Sequence, residues 1–167
     1  MMKSLLWSII LLPGSVTIFL PIALLYLSTV FSGEGVAFSE NIIVLGASIF
    51  LLVTGFFLAG STTLLFFRCG KGTPAPWDPP KKLVIAGPYR YMRNPMITGI
   101  LIILFGEALL FWSLVLFVWA FTFLVANMLY FPFVEEKNLL KRFGKDYDEY
   151  TKNVPRWIPR FKPWEET

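Results

Sequence analysis

The sequence predicts an all-α integral membrane protein, with about four transmembrane helices and a C-terminal cytoplasmic helical segment. Three observations lead there. The 167-residue chain is 56% hydrophobic and only 16% charged, a balance outside that of soluble domains. Its apolar residues collect into runs that match the ~30 Å hydrocarbon core of a bilayer. Its lysines and arginines collect in alternate connecting segments, the distribution that sets membrane orientation. One membrane domain, residues 1–167, is expected, with spans near 5–30, 41–67, 96–111 and 114–134.

The first run, Leu5 to Val30, is interrupted by prolines, Gly14 and a few hydroxyls. It far exceeds the roughly 7–15 residues of a signal-peptide core, so it reads as a retained anchor. Pro13 and Pro21 are expected to bend it. The loop Ser32–Glu40 carries two acids and no base. Asn41 to Phe67 is the second span. Gly46, Gly55, Ala59 and Gly60 are small enough to admit another helix closely, although membrane helices carry such residues anyway. Arg68 to Ala86 is a polar linker. Its Gly70-Lys71-Gly72-Thr73 lacks the earlier glycine of a phosphate loop, since Leu65 stands there, and follows no strand. Thr73 to Pro80 is too rich in proline for helix and is expected to lie extended along the membrane surface, with Trp77 at headgroup level.

Met96 to Val134 is long enough for two crossings with a turn near Phe111-Trp112-Ser113. Glu107 lies inside this run. It is either a functional acid within the membrane or a residue that reaches water at the far interface. From Glu135 the chain turns polar. Leu139, Leu140 and Phe143 form one apolar stripe at helical spacing, and Gly144 is a helix stop. Lys145–Tyr150 reads as another helical turn, and Val154–Arg160 as extended and interfacial.

Composition removes several chemistries. The chain has no histidine, hence no histidine base and no Ser-His-Asp triad. Its single cysteine, Cys69, cannot form an internal disulfide, and no zinc or other metal site is expected. What remains is the central stretch Gly87-Pro88-Tyr89-Arg90-Tyr91-Met92-Arg93-Asn94-Pro95. Pro88 and Pro95 each push the preceding residue towards extended geometry. Arg90 and Arg93 can hold a carboxylate or phosphate bidentately, while Tyr89 and Tyr91 can stack on a base or face a cation. A basic, aromatic interface anchor would use the same residues.

The membrane hairpin returns the chain to the face it left, so a second cluster should meet the first. It supplies Glu135, Glu136, Arg142, Tyr147 and Tyr150. A ligand with a carboxylate, an ammonium, a ribose and an aromatic base would suit the combination, and S-adenosylmethionine has all four. Structural ion pairs between two cytoplasmic segments are the plainer alternative.

The order Gly-Pro-Tyr-Arg-Tyr-x-Arg-Asn-Pro at 87–95, Gly99, Glu135-Glu136, Arg142-Phe143-Gly144, Tyr147, Tyr150 and Val154-Pro155-Arg156 resembles a known group. It is similar to the integral membrane methyltransferases of the isoprenylcysteine carboxyl methyltransferase and phospholipid methyltransferase superfamily. The resemblance covers roughly residues 72–159. It implies an all-helical membrane fold, S-adenosylmethionine bound at the cytoplasmic side, and a lipophilic acceptor arriving from the bilayer. Two positions differ. The eukaryotic prenylcysteine enzymes have His-Pro where this chain has Asn94-Pro95, and many relatives have tyrosine where Ile97 stands. Related folds include sterol reductases that use NADPH, so likeness of fold leaves the reaction open.

The expected cofactor site comprises Tyr89, Arg90, Arg93, Asn94, Pro95, Glu135, Glu136, Arg142, Tyr147 and Tyr150, in the segments 87–95 and 135–160. Arg93, Asn94 and Glu135 are expected nearest the reaction, with Arg90 chiefly holding the segment in place. The expected function is S-adenosylmethionine-dependent methylation of a lipid-like carboxylate or amine. The alternatives are an NADPH-dependent lipid reductase and a non-enzymatic scaffold for anionic lipid. Membrane lipids are expected partners and nucleic acid is not.

Lys3, the six basic residues from Arg68 to Arg93 and the basic tail must share a side, which puts both termini in the cytoplasm. The membrane would be the plasma membrane in a prokaryote or the endoplasmic reticulum in a eukaryote. This orientation predicts that, in a Cys69→Ser background, a cysteine at Ser39 reacts with an impermeant thiol reagent from outside intact cells. Labelling only after the membrane is broken would reverse the assignment.

Overall fold

The computed structural model describes residues 13–33, 35–70 and 80–165, which form helices and connections with no strand among them. Leu5, where the first span was expected to begin, and Trp77 lie outside the described residues. The helices are α1 (Ser15–Ser32), α2 (Ile42–Arg68), α3 (Pro95–Leu110), α4 (Leu114–Phe143) and α5 (Lys145–Asn153). Three of them, α1, α2 and α4, are long and apolar enough to cross a membrane. The fourth apolar helix, α3, has 16 residues, about 24 Å of rise, and is the short member of the bundle.

Proline bends α1 as its sequence demands. Pro21 offers no N–H to the carbonyl of Thr17, so the backbone widens into a π turn over Ser15–Phe19, with Leu20 N–H bonded to Ser15 O. Pro132 does the same to α4. A π turn over Phe131–Glu135 absorbs the missing bond, and the helix continues to Phe143. The polar segment from Glu135 is therefore a direct extension of the spanning helix and not a separate element. Gly144, at φ +57°, ends it and lets α5 begin at once.

Side-chain caps set two further boundaries. Asn41 accepts from Ile43 N at 2.9 Å to open α2, and Ser113 accepts from Leu116 N at 3.5 Å to open α4. The expected hairpin turn is present at Phe111-Trp112-Ser113, with Trp112 in the left-handed region at φ 44°. Ser39 N–H bonds to Leu110 O at 2.9 Å and ties the α1–α2 loop to this turn. Glu107 lies in the last turn of α3, half-buried, with Oε2 buried and without a hydrogen-bond partner among the described residues.

The largest helix contact, α2 against α3, depends on small residues. A Cβ on Gly55 would sit 2.8 Å from Gly99 O, and one on Gly99 would sit 2.7 Å from Ala59 N. These backbones touch because no side chain separates them, which lets dispersion act where lipid gives no hydrophobic drive. Of the small residues flagged in α2, Gly55 and Ala59 serve this contact, whereas Gly46 and Gly60 face open space. On the other side of α3, Ile100 and Leu104 pack with Ala120 of α4, and the Trp119 indole donates to Val16 O of α1 at 3.2 Å. At the polar end, Tyr147, Tyr150 and Val154 form a separate cluster against Leu83, Leu139, Phe143 and Trp164. Leu140, expected on the same stripe, is exposed.

Gly99→Ala is expected to destabilise the protein by about 1–3 kcal/mol through overpacking against backbone. Gly60→Ala, with nothing near its Cβ, should be neutral or mildly stabilising. Thermal midpoints in detergent compare the two, and equal midpoints would contradict the packing described.

Candidate functional site

The central stretch is held by the fold and not by its own propensity. Gly87 escapes the expected extended geometry by taking φ +54°, which starts a 3₁₀ turn over Gly87–Arg90. Tyr89 is buried within that turn, and the Tyr150 hydroxyl donates to its carbonyl at 2.7 Å. Asn94 then sits at the mouth of α3 with φ −119° and ψ 48°, its side chain making no cap. Pro95, the first helical residue, has no N–H, and the Asn94 side chain caps none of the N–H groups that follow it.

A C-terminal strap runs over this stretch. Arg93 N–H bonds to Pro155 O at 2.9 Å, Asn94 N–H to Arg156 O at 3.3 Å, and Arg160 N–H to Tyr91 O at 3.0 Å. Arg90 holds the end of the strap, donating from Nε to Trp164 O and from Nη2 to Glu165, both at 2.8 Å.

One carboxylate links the strap, α4 and the central stretch. Arg156 grips Glu136 bidentately, Nε to Oε1 at 2.7 Å and Nη2 to Oε2 at 2.8 Å. Arg93 Nη1 lies 3.1 Å from the same Oε1, but out of line for a hydrogen bond. Arg93 thus has charge compensation from Glu136, and a side-chain hydrogen bond links it to Tyr147, while two of its three nitrogens stay unused. Its Nε and Nη1, together with Asn94 Nδ2, are buried and unpartnered among the described residues.

Arg93 and Asn94 line a cavity of about 720 Å³ between the N-terminal parts of α1 and α3 and the distal half of α4. The cavity has two characters. At one end are Arg93, Asn94, Glu135, Asn138, Lys141 and Arg142. At the other are the apolar residues Val16, Ile97, Ile100, Phe123 and Phe131. Glu135 receives a long contact of 3.4 Å from the Tyr130 hydroxyl, which a ligand's ammonium or hydroxyl groups could replace.

Of the residues expected at the site, Tyr89, Arg93, Asn94, Glu135 and Arg142 lie on the cavity wall. The remainder do not. Arg90 is committed to the strap, and Pro95 is buried as the start of α3. Glu136 faces Arg93 and Arg156. Tyr147 and Tyr150 are buried in the polar-end cluster behind the wall. Burial first, and then Glu136, push the Tyr147 phenol up to about 12, with Arg93 opposing. Burial, followed by Tyr147, pushes Tyr150 up as well. Both stay protonated near neutrality and neither is a base.

Sequence reasoning missed Asn127, Asn138 and Lys141 on the wall, and the role of Arg156. Asn127 carried a usable signal, as a lone amide in an otherwise apolar span. Its Nδ2 donates to Phe123 O at 2.8 Å.

A family model described as phospholipid methyltransferase matches residues 41–146, well over half of the chain. The match runs from the cap of α2 through the central stretch and all of α4, and stops before Tyr147 and the strap. No curated protein and no solved structure matches the chain.

Proposed function

The chain belongs to the phospholipid methyltransferase family, and from that premise we propose that it carries a methyl group from S-adenosylmethionine to a lipophilic acceptor taken from the bilayer. The observation that supports this most is the set of unpartnered donors on Arg93 and Asn94. A buried donor left unmade costs about 1–3 kcal/mol. Keeping three of them in two residues that also line the cavity makes sense where a ligand supplies the acceptors after a small shift of these side chains, and the carboxylate of S-adenosylmethionine is such a group. Glu135, the one acid on the described wall, suits the ammonium or the ribose hydroxyls. The apolar end beside Val16, Ile97 and Phe123 suits hydrocarbon. The basic segments favour a polar end that faces the cytoplasm.

When bound, S-adenosylmethionine supplies a methyl carbon already activated by the sulfonium charge. An acceptor lone pair would take that methyl carbon as the C–S pair returns to sulfur, with Arg93, Asn94 and Glu135 as the residues that would hold the methyl donor. The protein's task is then to position two ligands at the boundary between charge and hydrocarbon. A carboxylate acceptor needs no base. An amine acceptor would hand its proton to Glu135, since Glu136 is held by two arginines and the buried tyrosines stay protonated.

Arg93→Lys keeps the charge but loses the planar fork. It is expected to weaken S-adenosylhomocysteine binding by about 1–3 kcal/mol in calorimetric titration. Asn94→Ala should cost less affinity and lower the transfer rate. Parental binding and turnover in Arg93→Lys would reduce the arginine to a point charge and favour the scaffold. Binding of NADPH in place of S-adenosylhomocysteine would favour the reductase.

A further inference from the structure

We infer that Arg156 is a positioning residue that keeps Arg93 open to an anionic ligand by occupying Glu136. The inference rests on the cofactor reading above and deepens it, because Arg156 lies outside residues 41–146 and off the cavity wall.

Glu136 has two carboxylate oxygens, and the Arg156 fork takes both, at 2.7 and 2.8 Å. The carboxylate plane is thereby fixed towards the strap. Arg93 receives only an oblique approach to Oε1, so its Nε and Nη1 remain without hydrogen-bond partners although a carboxylate is 3.1 Å away. The Arg93 side chain is only 10% exposed, so water does not readily take those donors in its place. Removing the Arg156 fork would release Glu136 to turn and pair in line with Arg93, since a bidentate carboxylate–guanidinium pair is the strong geometry available to both. The donors meant for a ligand would then be quenched from within. The same segment also fixes the backbone, through Arg93 N–H to Pro155 O and Asn94 N–H to Arg156 O. Strap and side chain therefore act on the two residues that carry the open donors.

The test compares two probes by calorimetry on the full-length protein. S-adenosylhomocysteine carries the carboxylate. 5′-Methylthioadenosine has the same nucleoside and sulfur but no amino-acid end. In Arg156→Gln, S-adenosylhomocysteine affinity should fall by about tenfold or more, the scale of a lost charge-assisted hydrogen bond, with 5′-methylthioadenosine unchanged. Arg156→Lys, which keeps charge without the fork, should lose part of the same ratio, and it decides the matter if Arg156→Gln does not fold. Adding Glu136→Gln to Arg156→Gln should restore S-adenosylhomocysteine binding towards the parent, because a neutral amide with one acceptor oxygen competes for Arg93 far more weakly than a carboxylate. Equal losses for both probes, parental affinity in the Arg156 variants, or no recovery in the double variant would each overturn the inference. A parent protein that binds neither probe would defeat the cofactor reading itself, and this inference with it.

Discussion

The Glu136 carboxylate sits between two guanidiniums, 2.7 Å from Arg156 and 3.1 Å from Arg93, and the polar end of the bundle is tied together at that point. Three separate stretches of sequence meet there: the entrance to α3, the extension of α4 and the C-terminal strap. An ion pair this enclosed gains little net stability over an apolar contact, because removing the charges from water costs nearly as much as pairing them returns. Its value lies in placement. One carboxylate shared by two arginines leaves positive charge over, and that surplus faces the cavity through Arg93.

The cavity then inherits its two characters from the membrane hairpin. Because α3 begins at Pro95 directly after the charged stretch, Asn94 stands about one helical turn before Ile97 and two before Ile100. On α4 the same change occurs across the π turn, from Phe123 to Glu135. Polar and apolar lining residues follow one another along both helices, an arrangement that fits the proposed pairing of a charged donor with a hydrocarbon-bearing acceptor. The tight α2–α3 contact through Gly55 and Gly99 fixes the depth of α3, and with it the height of that boundary.

Much of this was legible in the sequence. Apolar run lengths located the helices, the Phe111–Ser113 turn stood where the hairpin had to reverse, and the return of that hairpin to the face it left implied that residues 87–95 and 135–160 would meet. The division of labour within the clusters was not legible. Glu135 and Glu136 are adjacent and alike, yet neighbours on a helix point about 100° apart, so only one can face the cavity. Which one depends on helix phase, and the π turn at Phe131–Glu135 shifts that phase by an amount no periodicity reveals. Tyr147 and Tyr150 have the chemistry of ligand-stacking residues, but they lie behind the wall because α5 must cover Leu139 and Phe143. Arg156 drew no attention as a site residue because its partner is 20 positions away and its role exists only in the folded arrangement.

The account turns on the donors of Arg93 and Asn94 meeting the carboxylate of the methyl donor, and a crystal structure with S-adenosylhomocysteine tests that most directly. The predicted result places the ligand carboxylate within hydrogen-bond distance of Arg93 and Asn94, its sulfur pointing towards Ile97 and Phe123, and Glu136 still in the fork of Arg156. A carboxylate held instead by Lys141 and Arg142, with Arg93 closed onto Glu136, would contradict it.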